Sequence, residues 1–248
     1  MLHIFADPSD MDGEYLRVEG SEYNHIANVL RMKKGEEISV SGGEDGARYL
    51  YGIEEFGPDT VILKKKGLLS EASELPVRVI LFQGLPKSDK MEWIIQKSVE
   101  LGVTDIVPVS MKRCVMKLDP QKEGKKLRRW QTIAESAAMQ SKRARIPLVH
   151  PPMTMKEAVR MAEAESDIRV LPYELEEGRE GTKDLFSSLE RGQSVSVFIG
   201  PEGGFDPSEV EEAAEAGIRP ISLGHRILRT ETAAMVVLSW LIYRFEIA

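Results

Sequence analysis

Residues Phe198-Ile-Gly-Pro-Glu-Gly-Gly-Phe-Asp-Pro-Ser-Glu-Val210 carry an apolar strand into a glycine-rich turn and straight on into an amphipathic helix. The segment 194–199 alternates and ends apolar, as a buried strand does. Gly200, Gly203 and Gly204 admit positive φ. Asp206 followed by Pro207 has the form of an N-cap with proline at the first helical position, which predicts a helix from Pro207 to about Ala216. Amides at such a helix start have no intrahelical partners, so a strand ending there is a ready place for a polar ligand. Alone, the pattern is also how any α/β protein turns after a strand.

A similar unit follows within the stretch Pro220-Ile-Ser-Leu-Gly-His-Arg-Ile-Leu-Arg-Thr-Glu-Thr-Ala-Ala-Met235, again strand, glycine, helix. Thr230 suits a helix start, and Ala233 and Ala234 leave room for a close neighbour. Arg229 and Glu231 flank that start and are open to pairing with each other or with the helix terminus. Working outward, 77–83, 105–109, 147–150, 168–171, 195–199 and 220–223 read as strands. Segments 87–101, 124–141, 154–164, 182–189, 207–216 and 230–245 read as helices. This alternation predicts α/β with a mostly parallel sheet and ligands at the carboxyl ends of the strands. Chain physics alone favours an unknotted, doubly wound domain.

The first seventy residues differ. Short alternating segments at 37–41, 49–53 and 60–64, with turns such as Gly42-Gly43, predict a small β-rich domain interrupted by one helix over 21–31. In that helix Tyr23, Ile26, Val29 and Leu30 share a face. The Lys64-Lys-Lys66 run, Gly67 and the Ser- and Glu-rich stretch after it place a boundary near residue 70, giving domains 1–70 and 77–248 with a linker at 71–76.

The net charge of −7 is unevenly spread. Residues 71–150 carry 15 basic and 9 acidic side chains, and between Lys112 and Arg145 eleven basic residues meet three acidic ones. Within an acidic chain such a concentration suits either a polyanion or a solvated helix face. The lone cysteine, Cys114, excludes an internal disulfide and a multi-cysteine zinc site, and His3, His25, His150 and His225 form no metal-binding spacing, so no metal is expected. Early acidic residues replace a signal-sequence pattern, and the apolar tract 233–243 is too short to span a bilayer, which predicts a cytoplasmic protein with no membrane segment. GxxxxGK[ST] and GxGxxG are both absent.

Taken in order near the C-terminus, Gly200-Pro-Glu-Gly-Gly-Phe205 and Leu223-Gly-His-Arg-Ile-Leu-Arg-Thr-Glu-Thr-Ala233 resemble the SPOUT-class RsmE family of 16S ribosomal RNA (uracil-N3) methyltransferases. The likeness extends through 83–102, Ile146-Pro147, Leu171-Pro-Tyr-Glu174 and Asn24-His-Ile-Ala-Asn-Val-Leu-Arg31, nearly the whole chain. It departs at Met1-Leu-His-Ile-Phe5, where the family often has arginine, and only approximates the family over 137–143. The resemblance implies a C-terminal SPOUT domain with a deep trefoil knot, in place of the unknotted domain, and an N-terminal PUA-like barrel that grips RNA. It also implies a homodimer with active sites near the subunit interface, S-adenosylmethionine as cofactor, and 16S rRNA in the 30S subunit as partner. A SPOUT enzyme acting on tRNA or 23S rRNA, and a non-catalytic RNA-binding or assembly factor, are the alternatives.

The cofactor positions so implied are Leu171, Pro172, Tyr173 and Glu174; Ile199, Gly200, Pro201, Glu202 and Gly203; and Leu223, Gly224, Ile227, Leu228, Thr230 and Ala233. Leu171, Ile199, Gly203, Leu223, Ile227 and Leu228 would form an apolar slot. Glu174 and Glu202 either meet the ribose and sulfonium or pair elsewhere. Uracil N3 carries a proton at neutral pH, and Arg229 is the catalytic residue expected to stabilise the anionic ring, with the proton acceptor unassigned. His25, Arg31, Lys87, Lys90, Gln140 and Arg143 are the expected RNA contacts, the lysines for affinity and Gln140 with Arg143 for a base.

Overall fold

A computed structural model describes residues 1–7, 10–42, 47–70, 74–87, 89–174 and 179–248. It divides into two compact units: Met1–Glu74 with Ala138–Arg145, and Leu75–Ala137 with Ile146–Ala248. Of the expected linker, residues 71–73 lie outside the described residues, as does Gly43 of the expected Gly42-Gly43 turn.

The first unit is a sheet of β1 (Leu2–Phe5), β2 (Met11–Asp12), β3 (Tyr15–Glu19), β4 (Glu37–Ser41), β5 (Arg48–Phe56) and β6 (Thr60–Ser70), in the order β1-β4-β5-β6-β3-β2. Only the β1–β4 pairing among these is parallel. Strict alternation in β3 sends Leu16 and Val18 inward opposite Leu63 and Val61, where they join Ile4, Ile38, Tyr51 and Ile53 in one core. Irregular register along β5 adds the local bends that curl a sheet around such a core. β6 runs on to Ser70, through the lysine run that suggested a boundary, because Lys65 and Lys64 still pair with Tyr51 and Gly52.

The expected helix over 21–31 is a correction. α1 (Gly20–Asn24) passes at once into a π-helical turn, His25–Val29, and Arg31 has φ +52°. The amides of Leu30 and Met32 reach back to His25 and Ile26. This wider winding rotates the apolar stripe, so Ile26 is buried while Val29 and Leu30 are 60% and 47% exposed.

The second unit holds β7 (Arg78–Gly84), β8 (Asp105–Ser110), β9 (Leu148–Val149), β10 (Met153–Thr154), β11 (Ile168–Pro172), β12 (Ser194–Ile199) and β13 (Arg219–Ile221). All pair in parallel, in the order β10-β8-β7-β12-β11-β13 with β9 beside the start of β8. The central strands are buried along all but their first residues: β7 carries the apolar run Val79–Phe82, while β12 alternates and buries Ser196 among its valines. Phe82 and Phe198 stack across β7 and β12 with centroids 4.4 Å apart, and Val107, Val109, Leu171, Phe205 and Val210 complete that core. Helices α2 (Lys90–Glu100), α3 (Pro120–Gln140), α4 (Met155–Glu165), α5 (Arg179–Ser187), α6 (Pro207–Glu215) and α7 (Thr230–Ile242) punctuate the strands. Asp206 caps α6 as expected: its side chain accepts from Ser208 N and Glu209 returns a bond to Asp206 N, a capping box worth about 0.5–2 kcal/mol.

Candidate active site

Three loops leave the carboxyl ends of β11, β12 and β13, and they converge on one cleft of about 400 Å³. Pro172, Tyr173 and Glu174 form one wall. Ile199, Gly200, Pro201 and Glu202 form the second, with Gly204 and Phe205. Leu223, Gly224, Ile227, Leu228, Arg229 and Arg226 form the third, and Thr230, Ala233 and Lys90 close the space.

The floor is tied by hydrogen bonds across the sheet. Gln83 at the end of β7 is fully buried and donates to Thr230 Oγ1 (2.9 Å) and Gly84 O (3.0 Å). Thr230 Oγ1 donates in turn to Gly200 O (2.6 Å). From edge strand β13 the chain therefore returns to the middle of the sheet before α7 begins. Tyr173 N donates to Ile221 O (3.0 Å), fixing the first loop to the third. Gly204 has φ +68° and bonds Pro201 O, and Gly224 has φ +98° with open space where a Cβ would be. Both glycines give a turn that other residues would strain.

Lys90 Nζ lies 3.0 Å from Glu202 Oε1 and 3.6 Å from Glu231 Oε2. Burial pushes the Glu202 carboxyl up, but the Lys90 ammonium and the Lys87 amide outweigh it and hold it below the usual range. The Glu202 bond in turn raises Lys90. The Arg229 side chain is exposed at the cleft, and its guanidinium makes no hydrogen bond or ion pair among the described residues, while its carbonyl accepts from the Ala233 amide at 2.9 Å.

Two of the expected cofactor positions do not line the cleft. Leu171, on β11, points into the core and is 1% exposed. Gly203 turns away: a Cβ there would come within 3.1 Å of Arg113 Cβ, and its carbonyl accepts from the Arg113 guanidinium. Its neighbour Gly204 lines the cleft instead, as do Phe205 and Arg226. These three lie inside the same two motifs, so the motif boundaries were the signal that could have found them.

The expected RNA contacts are scattered. His25, Arg31 and Gln140 are exposed in the first unit, and Lys87 is exposed in the second. Lys90 faces the cleft. Arg143 is enclosed: it is 3% exposed, and its guanidinium is held by Glu74 at 2.9 and 3.1 Å from Nε and through Nη2. On α3, Lys122, Lys125, Arg128 and Arg129 are exposed, with Arg129 paired to Glu92 at 2.7 Å. Among the described residues no group of His, Cys, Asp and Glu is arranged to hold a metal ion, and no helix is long and apolar enough to cross a membrane.

Residues 73–242 match the RNA methyltransferase domain family and residues 18–66 the RNA methyltransferase PUA domain family, so fold and cleft together define an RNA methyltransferase. Ribosomal RNA small subunit methyltransferase E of Bacillus subtilis is 38% identical over 234 residues, covering 93% of this chain and 90% of its own; the Mycobacterium bovis protein of the same name is 32% identical over 95% and 88%. Among solved structures, the Neisseria gonorrhoeae enzyme of that name, bound to S-adenosyl methionine, superposes with TM-score 0.83 at 28% identity over 99% of this chain and 98% of its own. A Legionella pneumophila methyltransferase with bound SAM gives 0.81 at 32% identity over 97% and 96%. The chain belongs to the ribosomal RNA small subunit methyltransferase E family.

Proposed function

We infer that this protein transfers the methyl group of S-adenosylmethionine to N3 of a uridine in 16S rRNA. The observation that carries the reading is the three-loop cleft with an unpaired Arg229 beside it, in a chain of this family. Its volume falls within the roughly 300–1,000 Å³ of small-ligand pockets. Ile199, Leu223, Ile227 and Leu228 offer apolar surface for an adenine, the loop backbones offer donors and acceptors, and Glu174 and Glu202 suit a ribose or a positive sulfur. When bound, the cofactor supplies a methyl group on a positively charged sulfur, and transfer leaves a neutral thioether.

The chain's own residues must make N3 nucleophilic. The N3 proton leaves to solvent, the freed lone pair forms the new N–C bond, and the old C–S bond breaks with its electrons to sulfur. A permanently charged guanidinium accepts no proton, so Arg229 acts by donating to a uracil carbonyl oxygen as negative charge develops. His25, Arg31 and Gln140 in the first unit, and Lys87 in the second, serve RNA capture. The reading includes the 30S subunit as substrate, a cytoplasmic location, functional domains 1–70 and 77–248, and a homodimer, for which exposed Trp93, Tyr243 and Ile247 provide apolar surface.

Labelled methyl transfer to 30S subunits lacking the modification, with naked 16S rRNA and tRNA alongside, tests this. The expected product is 3-methyluridine on the 30S subunit, identified by nucleoside mass spectrometry. A methylated ribose, or transfer to tRNA instead, would overturn the assignment.

A further inference from the structure

Lys90 is poorly placed for a phosphate. Its side chain is 35% exposed, and two carboxylates surround one ammonium, leaving the cluster with a formal charge of −1. That cluster repels a polyanion. What the arrangement offers instead is a directed N–H donor for a neutral group such as a carbonyl oxygen. An ammonium has three N–H donors. Glu202 accepts one, and Glu231 at 3.6 Å is beyond hydrogen-bond reach, so donor capacity remains on a residue that lines the cleft.

Glu231 explains why the ammonium stays there. Its Oε2 is buried with no hydrogen-bond partner among the described residues, so the nearby Lys90 charge is what compensates it. The other titratable or charged groups of the cleft are Tyr173, Glu174, Arg226 and Arg229. Neither Glu202, held ionised by Lys90, nor Lys90, held protonated, is fit to take the N3 proton. A cation that makes the ring anion cheaper assists whichever group takes the proton, and two carbonyl oxygens flank N3, so Arg229 leaves room for a second donor.

Resting on the proposed function, we propose that Lys90, clamped by Glu202 and Glu231, is a second substrate-contacting cation that donates to a uracil carbonyl oxygen and stabilises the deprotonated ring. The test is the pH dependence of kcat and KM for 30S methylation from about pH 6 to about pH 10, in wild type, Lys90→Gln and Lys90→Arg. Lys90→Gln should lower kcat about 10²-fold near neutrality, as loss of one oxyanion donor does, with KM for RNA and cofactor affinity little changed. The deficit should shrink as rising pH deprotonates the uracil, and Lys90→Arg should recover part of the loss. If Lys90→Gln does not fold, the double variant Lys90→Met/Glu231→Gln, which removes the buried negative charge with its cation, carries the same test. A raised KM with unchanged kcat and a steep salt dependence would overturn the proposal in favour of a phosphate contact. Wild type that forms no 3-methyluridine would instead fail the functional reading beneath it.

Discussion

Glu74→Ala should unfold the first unit far more readily than its place beside an expected linker suggests. Glu74 accepts from Arg143 Nε and Nη2 and from the backbone amides of Ala144 (2.9 Å) and Arg145 (3.4 Å). Its side chain is 12% exposed and that of Arg143 3%. Removing the carboxylate takes away the anion that both Nε and Nη2 of a buried guanidinium bond to, a change that costs about 3–5 kcal/mol. Arg143→Ala should cost less, about 1–3 kcal/mol, because Glu74 keeps two amide donors and some access to water. The double variant should cost clearly less than the sum, since the two side chains act as one hydrogen-bonded ion pair. Trp93, Trp130 and Trp240 all lie in the second unit, so tryptophan fluorescence does not report this change. Hydrogen exchange of peptides from β1 to β6 does. Losses below about 1 kcal/mol, or full additivity, would refute the reasoning.

Three further outcomes are expected. Arg229→Ala should reduce turnover about 10²–10³-fold while leaving the calorimetric affinity for S-adenosylmethionine nearly unchanged, as for a group acting in the transition state; unchanged turnover would remove it from the mechanism. Gly224→Val, placed at φ +98° and facing open space in the cleft, should abolish cofactor binding, whereas Gly203→Ala should alter chiefly the packing on Arg113; equal titrations for both would show the wall is misassigned. Burial, with Arg48 and Lys142 nearby, holds the His3 imidazole below its usual range despite bonds to Arg143 O and Ser39. Its contribution to stability is thus present above the unfolded pKa of about 6.5 and is lost as pH falls through the lower folded value, so His3→Gln should flatten the acid side of the first unit's stability curve, measured by exchange.

Much of the second unit was legible because short strands rich in Val, Ile, Leu and Phe alternate with helical segments and because Asp206-Pro207 advertises a helix start. The strand ends at Leu171, Ile199 and Leu223 could be read as three places for a ligand, though not that their loops converge. What composition cannot reveal is the direction of one Cβ against its neighbour's. Gly203 and Gly204 look alike in sequence, yet one faces Arg113 and the other the cleft. Arg143 fell to the same limit: it sits in the most basic stretch of the chain, and its partner Glu74 lies 69 residues away. The first unit was harder still, since β1 and β3 are short and their partners are set by tertiary pairing. The switch to π winding after Asn24 leaves no periodicity to read.

The bond from Gln83 to Thr230, and from Thr230 to Gly200, joins three points of the chain separated by more than a hundred residues on one side and thirty on the other. A cleft built this way has no precursor in any local segment. It exists only when the last strand and α7 are settled against the sheet, and long-range parallel pairing of this kind is intrinsically slow to form. Cofactor bound there favours the settled chain in proportion to RT ln(1 + [L]/Kd). The methyl donor is therefore a fastener for the C-terminal segment as well as a reagent, and a cell starved of it would hold this enzyme in a looser, more protease-sensitive form.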